Sequence, residues 1–236
     1  MSGFVMKGAL VEFMPTFLPG PVPNVIVFQY NPEMMTHTWS QPEPAITAGT
    51  QSSNPLAVKG MPDEEFSFTI AMDARDEIAD GSAPAAALAS SSGIYSRLAA
   101  LEMLLYPARI RGTGLTGTVS AASALSGARI GLVRTIPRSV MPVTLFIWGP
   151  GRIVPVRMTG LTVTEQLYDS KLNPIHAEAQ LTLRVLTPAE LTAAAGNDTL
   201  GSLATVAYRY TLTLRQALAV ANLGNAAESV IGMIPH

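Results

Sequence analysis

The sequence predicts a mainly β (α+β) protein, with one helix set among the strands and a small helical segment at the C-terminus. Three observations predict it. Phe66, Phe68, Ile70 and Met72 alternate with small or polar residues, the period of two that turns one face of a strand toward a core. Ala177, Ala179, Leu181, Leu183 and Val185 repeat that pattern against His176, Glu178, Gln180, Thr182 and Arg184. Thr187-Pro188-Ala189-Glu190 is a capping box with proline at the first helical position, so the chain turns helical where the strands stop. The 236 residues divide into a β domain over 1–187 and a helical segment over 188–236, one large domain with an appendage.

The elements follow in order. Val25 to Tyr30 is a short apolar run closed by the turn signal Asn31-Pro32, and Met34 to Trp39 is a second strand. Glu43 to Asp63 is rich in Pro, Gly, Ser and Thr and reads as a long loop. After the Phe66–Asp73 strand, the uncharged Ala/Ser/Pro stretch from Gly81 to Gly93 reads as a mobile surface loop. Ile94, Leu98, Leu101 and Leu105 then recur at helical spacing, which puts the packed helix near 94–106 with Pro107 as its stop. Thr113 to Ala128 reads as a flexible insertion or an arm that assembly orders. Val143 to Trp148 is a strand ended by Gly149-Pro150-Gly151, Val154 to Tyr168 is a long strand bent at Gly160, and His176 to Leu186 is the cleanest strand of all. In the tail Gly196 caps a brief helix and Asp198 opens another. Leu203, Ala207, Tyr210, Leu214, Ala217, Leu218 and Ala221 form its apolar stripe, while Tyr208, Leu212 and Ala219 lie off that stripe and are apolar too. A helix greasy on two sides calls for two partners, its own domain and a neighbour.

Composition narrows the function. Hydrophobic residues make up 48% and charged residues 14%, against about 25% charged in a typical globular chain; mean hydropathy is +0.29. A membrane span needs about 20 predominantly apolar residues in a row, and no stretch qualifies, so direct membrane insertion is not expected. Lys7 and Glu12 interrupt the N-terminal apolar positions and no small-residue cleavage pattern follows, which does not fit a secretory signal. A subunit covered by neighbours remains, because the centres of interfaces are depleted in charge. The net charge of −2 comes without a Lys/Arg cluster, so nucleic acid has no electrostatic footing. The chain has no cysteine, which removes disulfides, thiolate metal sites and cysteine nucleophiles.

Groups for chemistry are not assembled in the sequence. His37, His176 and His236 share no metal-ligand spacing. Asp73, Asp76, Glu77 and Asp80 lack the alternating ligands of a calcium loop and read as a solvated turn; Asp63, Glu64 and Glu65 read as the solvated start of a strand. Gly112-x-Gly114-x-x-Gly117 matches a dinucleotide fingerprint in letters, but Thr118 to Ser123 is a poor helix start and the chain has no βαβ rhythm. The expectation is therefore a non-enzyme, with no catalytic residue, metal ligand or cofactor site. Trp39 and Trp148 sit at strand ends, core anchors first and interface anchors second. With Tyr208, Leu212, Leu214 and Leu218 they make the candidate assembly interface.

Several segments together resemble the tube-protein family of contractile injection systems, which are phage-tail-like particles. Phe28-Gln29-Tyr30-Asn31-Pro32 is similar to the end of the family's opening strand, and Phe66 to Asp73 to its alternating strand ending in Asp. Ile94 to Pro107 resembles its helix and Leu145 to Gly149 its central strand. Leu161 to Glu165 and Asn173 to Ala177 resemble its closing hairpin. The resemblance implies a tube-like β-barrel or sandwich with one packed helix. It implies a homo-oligomeric, six-fold ring that joins the spike, or hub, and baseplate to the inner tube, assembled in the cytoplasm and carried in a particle that is released or docked at a membrane. Larger members end in a LysM-like module, and Asp198-Thr199-Leu200, Ser202-Leu203-Ala204, Tyr208, Ala221-Asn222 and Ile234-Pro235 are similar to one in a degenerate form. The alternative function this implies is a cell-wall module that binds peptidoglycan through the tail.

Overall fold

The two alternating runs at Phe66 and His176 lie side by side in one antiparallel sheet, in a computed structural model that describes residues 5–14, 22–42, 60–80, 83–106, 143–195 and 199–231. The strands are β1 (Ala9–Met14), β2 (Val22–Val27), β3 (Met35–Ser40), β4 (Asp63–Asp73), β5 (Thr144–Ile147), β6 (Ile153–Tyr168) and β7 (Pro174–Val185). Five helices accompany them among the described residues: α1 (Ala74–Asp80), α2 (Ala83–Ser92), α3 (Tyr95–Met103), α4 (Pro188–Ala195) and α5 (Thr199–Ile231). Strand order is β2-β1-β5-β6-β7-β4-β3. The result is a mixed α/β structure built on one large antiparallel sheet, consistent with the mainly β reading, with more of the chain in helix than the strand patterns led one to expect.

Register explains the core. Phe66 pairs with Leu183 and Phe68 with Leu181, whereas the bulky Ile70 and Met72 face Ala179 and Ala177; large against small keeps one layer evenly filled. All of these are buried. Phe146 of β5 joins them, with its ring 5.3 Å from Phe66 and 5.4 Å from Phe68. Ile94, just before α3, and Leu98 and Leu101 within it join this main core. Neighbouring Leu145 points to the opposite face, where it meets Leu191, Ala204 and Ala207 from the two tail helices in a second, smaller cluster. The bend expected at Gly160 is a register shift between Met158 and Gly160 in the β6–β7 hairpin.

Four sequence readings need correction. β1 was not recognised in the sequence; it pairs with both β2 and β5 and places Leu10 in the core. The first apolar run forms a strand over Val22–Val27 rather than Val25–Tyr30, and Phe28 leaves it to enter the core. Within the Gly81–Gly93 stretch, Ala83–Ser92 is helix α2, not a loop. Alanine is the best helix former, Ala89 is buried, and the hydroxyls of Ser90, Ser91 and Ser92 donate to carbonyls of the preceding turn at 2.9 Å. Gly93 ends the helix at φ +58°. The acidic stretch after β4 is helix α1, opened by Asp73 Oδ1 accepting from the Arg75 backbone N–H at 2.8 Å. Residues 43–59 of the long Glu43–Asp63 loop, the Thr113–Ala128 insertion, the glycine fingerprint at 112–117, Gly196, Asp198 and His236 lie outside the described residues.

Candidate functional site

Two features bear on function: the joint that seats the tail helix on the sheet, and the apolar surface left uncovered. The joint grows from strand phase. His37 and Trp39 share one face of β3 and lie opposite Phe66 and Glu64 of β4. The His37 ring sits between two aromatic rings, 3.9 Å from Phe66 and 3.5 Å from Trp39. Glu64 follows the same inward phase as Phe66 and Phe68, so its carboxylate is buried, with 7% of the side chain exposed. Arg215 of α5 forks onto it, Nη1 to Oε2 at 2.8 Å and Nη2 to Oε1 at 2.5 Å, the bidentate form that makes a guanidinium–carboxylate pair strong. His37 Nε2 lies 2.7 Å from Oε1; a carboxylate only accepts, so this nitrogen carries the hydrogen. Arg152, in the turn before β6, lies over the Phe66 ring at 5.3 Å.

The electrostatics follow from this packing. Burial lowers the His37 pKa from its ordinary value; the Glu64 hydrogen bond opposes this, and Arg152 and Arg215 add to it. For Glu64, burial alone pushes the carboxyl up, but the hydrogen bonds and charge of Arg215, helped by His37, hold it below the usual range. The hydrogen bond to Glu64 raises Arg215, and burial followed by the Arg215 charge lowers Arg152. A carboxylate saturated in this way is a structural tie and not a free base. The expectation that Glu64 is a solvated strand start is therefore corrected, while Glu65 is exposed as expected. The missed signal was its spacing: Glu64 is in phase with Phe66, Phe68, Ile70 and Met72.

Other charges form similar ties. Arg184 of β7 reaches Asp63 at 2.7 Å and Glu190 of α4 at 2.8 Å. Glu190 Oε2 accepts from the Thr187 backbone N–H and hydroxyl at 2.9 Å each, the capping box read from the sequence. Of the acidic cluster, Glu77 accepts from Nε and Nη2 of Arg97 at 2.6 and 3.0 Å, Asp76 accepts from the Tyr30 hydroxyl, and Asp73 lies 3.3 Å from His176 Nδ1. Among the described residues no group of three His, Asp or Glu is placed to hold a metal ion.

The six candidate interface residues do not form one patch. Trp148 packs against Phe28 and Phe146 and is partly buried at the core. Tyr208 is buried, and half-buried Leu212 packs on the same core, so two of the three off-stripe positions face this chain's own sheet, while Ala219 is exposed. Leu214 is half-buried. Trp39, at 54% exposure, and Leu218, at 62%, are open, one on β3 and one far along α5. The stripe itself is largely uncovered: its Leu203 and Tyr210, with Val206 beside them, border a shallow apolar cavity of about 300 Å³ completed by Leu145, Ile153 and Ala207. Further exposed apolar residues are Val25 and Val27 on β2, and Leu167, Tyr168 and Leu172 at the tip of the β6–β7 hairpin. Two of the tip residues hold positive φ, Leu167 at 55° and Leu172 at 65°. Among the described residues no helix is long and apolar enough to cross a membrane. Compared with protein-family models and with curated proteins, the chain matches none.

Proposed function

We propose that the chain is a non-enzymatic structural subunit of a phage-tail-like contractile injection particle, joining the spike and baseplate to the inner tube within a six-fold ring of copies. One observation carries the reading. The seven-stranded sheet ends on β2 and β3, and among the described residues neither has a second strand beside it. An open edge with exposed Val25 and Val27 beside it is an aggregation hazard for a solitary molecule. Pairing with a neighbouring subunit removes the hazard and uses the surface. The segments that resemble tube proteins support the same reading, because those on β4, β5, β6 and β7 come from strands of this one sheet.

The partners in this reading are sister copies, the spike or hub, the inner tube and other baseplate subunits, assembled before the particle is released or docked. The tail serves as a docking element. Its described part is two helices, α4 and α5, with no strand, so nothing specific favours a peptidoglycan groove over a protein contact. The test is co-expression with sheath, spike and tube proteins, followed by negative-stain imaging and mass spectrometry of purified particles. The chain is expected in the particle, and the double substitution V25K/V27K is expected to fold but drop out of it. A wild-type chain that stays monomeric and absent from intact particles overturns the proposal.

A further inference from the structure

We propose that the Glu64–Arg215–His37 cluster is an acid-sensitive latch, which holds the Leu212–Arg215 turn of α5 on the sheet at neutral pH and releases it, together with the exposed helix beyond, as a movable arm on acidification. The idea rests on how α5 is seated and is independent of the assembly reading.

The helix has two differently held parts. Toward its start, Ala204 and Ala207 lie in an apolar cluster with Leu145 and Leu191. Thr211 Oγ donates to the Ile153 carbonyl at 2.8 Å and accepts from the Ile153 N–H at 3.1 Å. Beyond Thr211 the anchors are half-buried Leu212 and Leu214 and the Arg215 fork. From Gln216 to Leu223 every residue is exposed. Arg215 is therefore the last described tie before the helix leaves the body, and opening it frees the distal part while the proximal half stays docked.

The groups around His37 make that tie respond to protons. From β4 it faces Glu64, from the turn before β6 Arg152, and from α5 Arg215, with Tyr208 near the same carboxylate; Trp39 of its own strand and Phe66 of β4 cover its ring. At neutral pH one carboxylate stands against two guanidiniums. A proton on His37 adds a third cation at a side chain only 13% exposed. A later proton on Glu64 removes the anion that holds Arg215. Both sites hold protons less readily in the latched form than in water, so by linkage acid shifts the population toward the open form. Opening exposes His37 and Glu64 to solvent and lets Arg215 leave with the helix.

Hydrogen–deuterium exchange of the full chain at pH 7.5, 6.0 and 5.0, corrected for intrinsic exchange rates, tests the latch. Protection of amides from 212 to 223 is expected to fall severalfold on acidification, while amides of β4, β7 and the docked start of α5 keep theirs. H37F keeps the aromatic stack but cannot titrate, and is expected to weaken the response to acid. R215M is expected to lose the protection already at pH 7.5; it leaves Glu64 without its fork, so its core-strand protection is read in the same experiment to show that it folds. Equal acid sensitivity of α5 and β7 in the wild type, an unchanged response in H37F, or full α5 protection in folded R215M each overturns the proposal.

Discussion

Two leucines six residues apart on α5 are expected to respond in opposite ways to the same substitution. Leu212 is half-buried against the main core, whereas Leu218 is 62% exposed. Full burial of a leucine contributes about 1.5–3 kcal/mol, so the half-buried Leu212 contributes about 1 kcal/mol. Asp at that position also places a carboxylate on apolar surface beside Tyr208, which costs a further few kcal/mol when no partner is provided. Arg215, one turn on, is already forked onto Glu64. The sum, about 3 kcal/mol, is a large part of a typical stability of about 5–15 kcal/mol. With a urea slope of about 1–3 kcal/mol/M, L212D should lower the unfolding midpoint by about 1–3 M. Leu218 belongs to neither apolar cluster among the described residues, so L218D should change stability by no more than about 0.5 kcal/mol. Its effect should appear instead as reduced incorporation into particles. Urea titrations followed by helical circular dichroism, beside particle yields, read both. Equal midpoint shifts for the two variants would refute the seating of α5 described above.

Three further outcomes follow from the same packing. Stability should fall on acidification in two stages, because both pKa values are lowered in the fold: the His37 contribution is full above 6.5 and lost as pH drops through its lowered value, and that of Glu64 is full above 4.5 and lost below it; urea midpoints from pH 7.5 to 3.5 measure this, and a flat profile contradicts it. T187A removes the hydroxyl that donates to Glu190 and caps α4, so thermal unfolding should show a loss of about 1 kcal/mol. G93A should cost more, because Gly93 sits at φ +58° and a Cβ there would stand 2.2 Å from the Pro174 carbonyl oxygen; a loss above about 2 kcal/mol is expected, and a neutral result would mean that the α2–β7 approach is looser than described.

How much of this was legible in the sequence depended on whether a segment had two different faces. β4 and β7 bury one face and wet the other, so their period of two was plain. The capping box at Thr187 and the spacing from Ile94 to Leu101 were legible for the same reason, as local chemistry tied to one geometry. α2 was not, because a run of Ala and Ser shows no periodic contrast and serves loop or helix equally well. β1 was obscured by Glu12, which is fully buried within its short span and accepts from Asn24 at 3.1 Å. Glu64 hid in the opposite sense: a carboxylate in an acidic triplet looks solvated, and only its phase with Phe66 marks it as inward. The tail helix failed differently. Apolar on several sides, it offered no phase to choose between, and the core took the narrower face of Ala204, Tyr208 and Leu212 and left much of the longer stripe open.

The low charge of the chain acquires a sharper meaning from where the charges went. Arg97 ties α3 to α1, Arg184 ties β7 to β4 and α4, and Arg215 ties α5 to β4. Three of the 15 basic residues are thus spent inside the subunit, each with its carboxylate partner. The hairpin tip mixes Leu167, Tyr168 and Leu172 with Glu165, Asp169 and Lys171, but the β2 edge carries no charged residue and presents valine and main chain. Contacts made there rest on ladder hydrogen bonds and apolar burial, neither of which salt screens. At about 1 M salt the screening length is about 3 Å, enough to dissolve an assembly held by exposed ion pairs. A ring built on this edge should therefore stay assembled in 1 M sodium chloride and come apart with V25K/V27K. Dissociation in high salt alone would place the contacts on charged surface elsewhere and defeat the edge-pairing proposal.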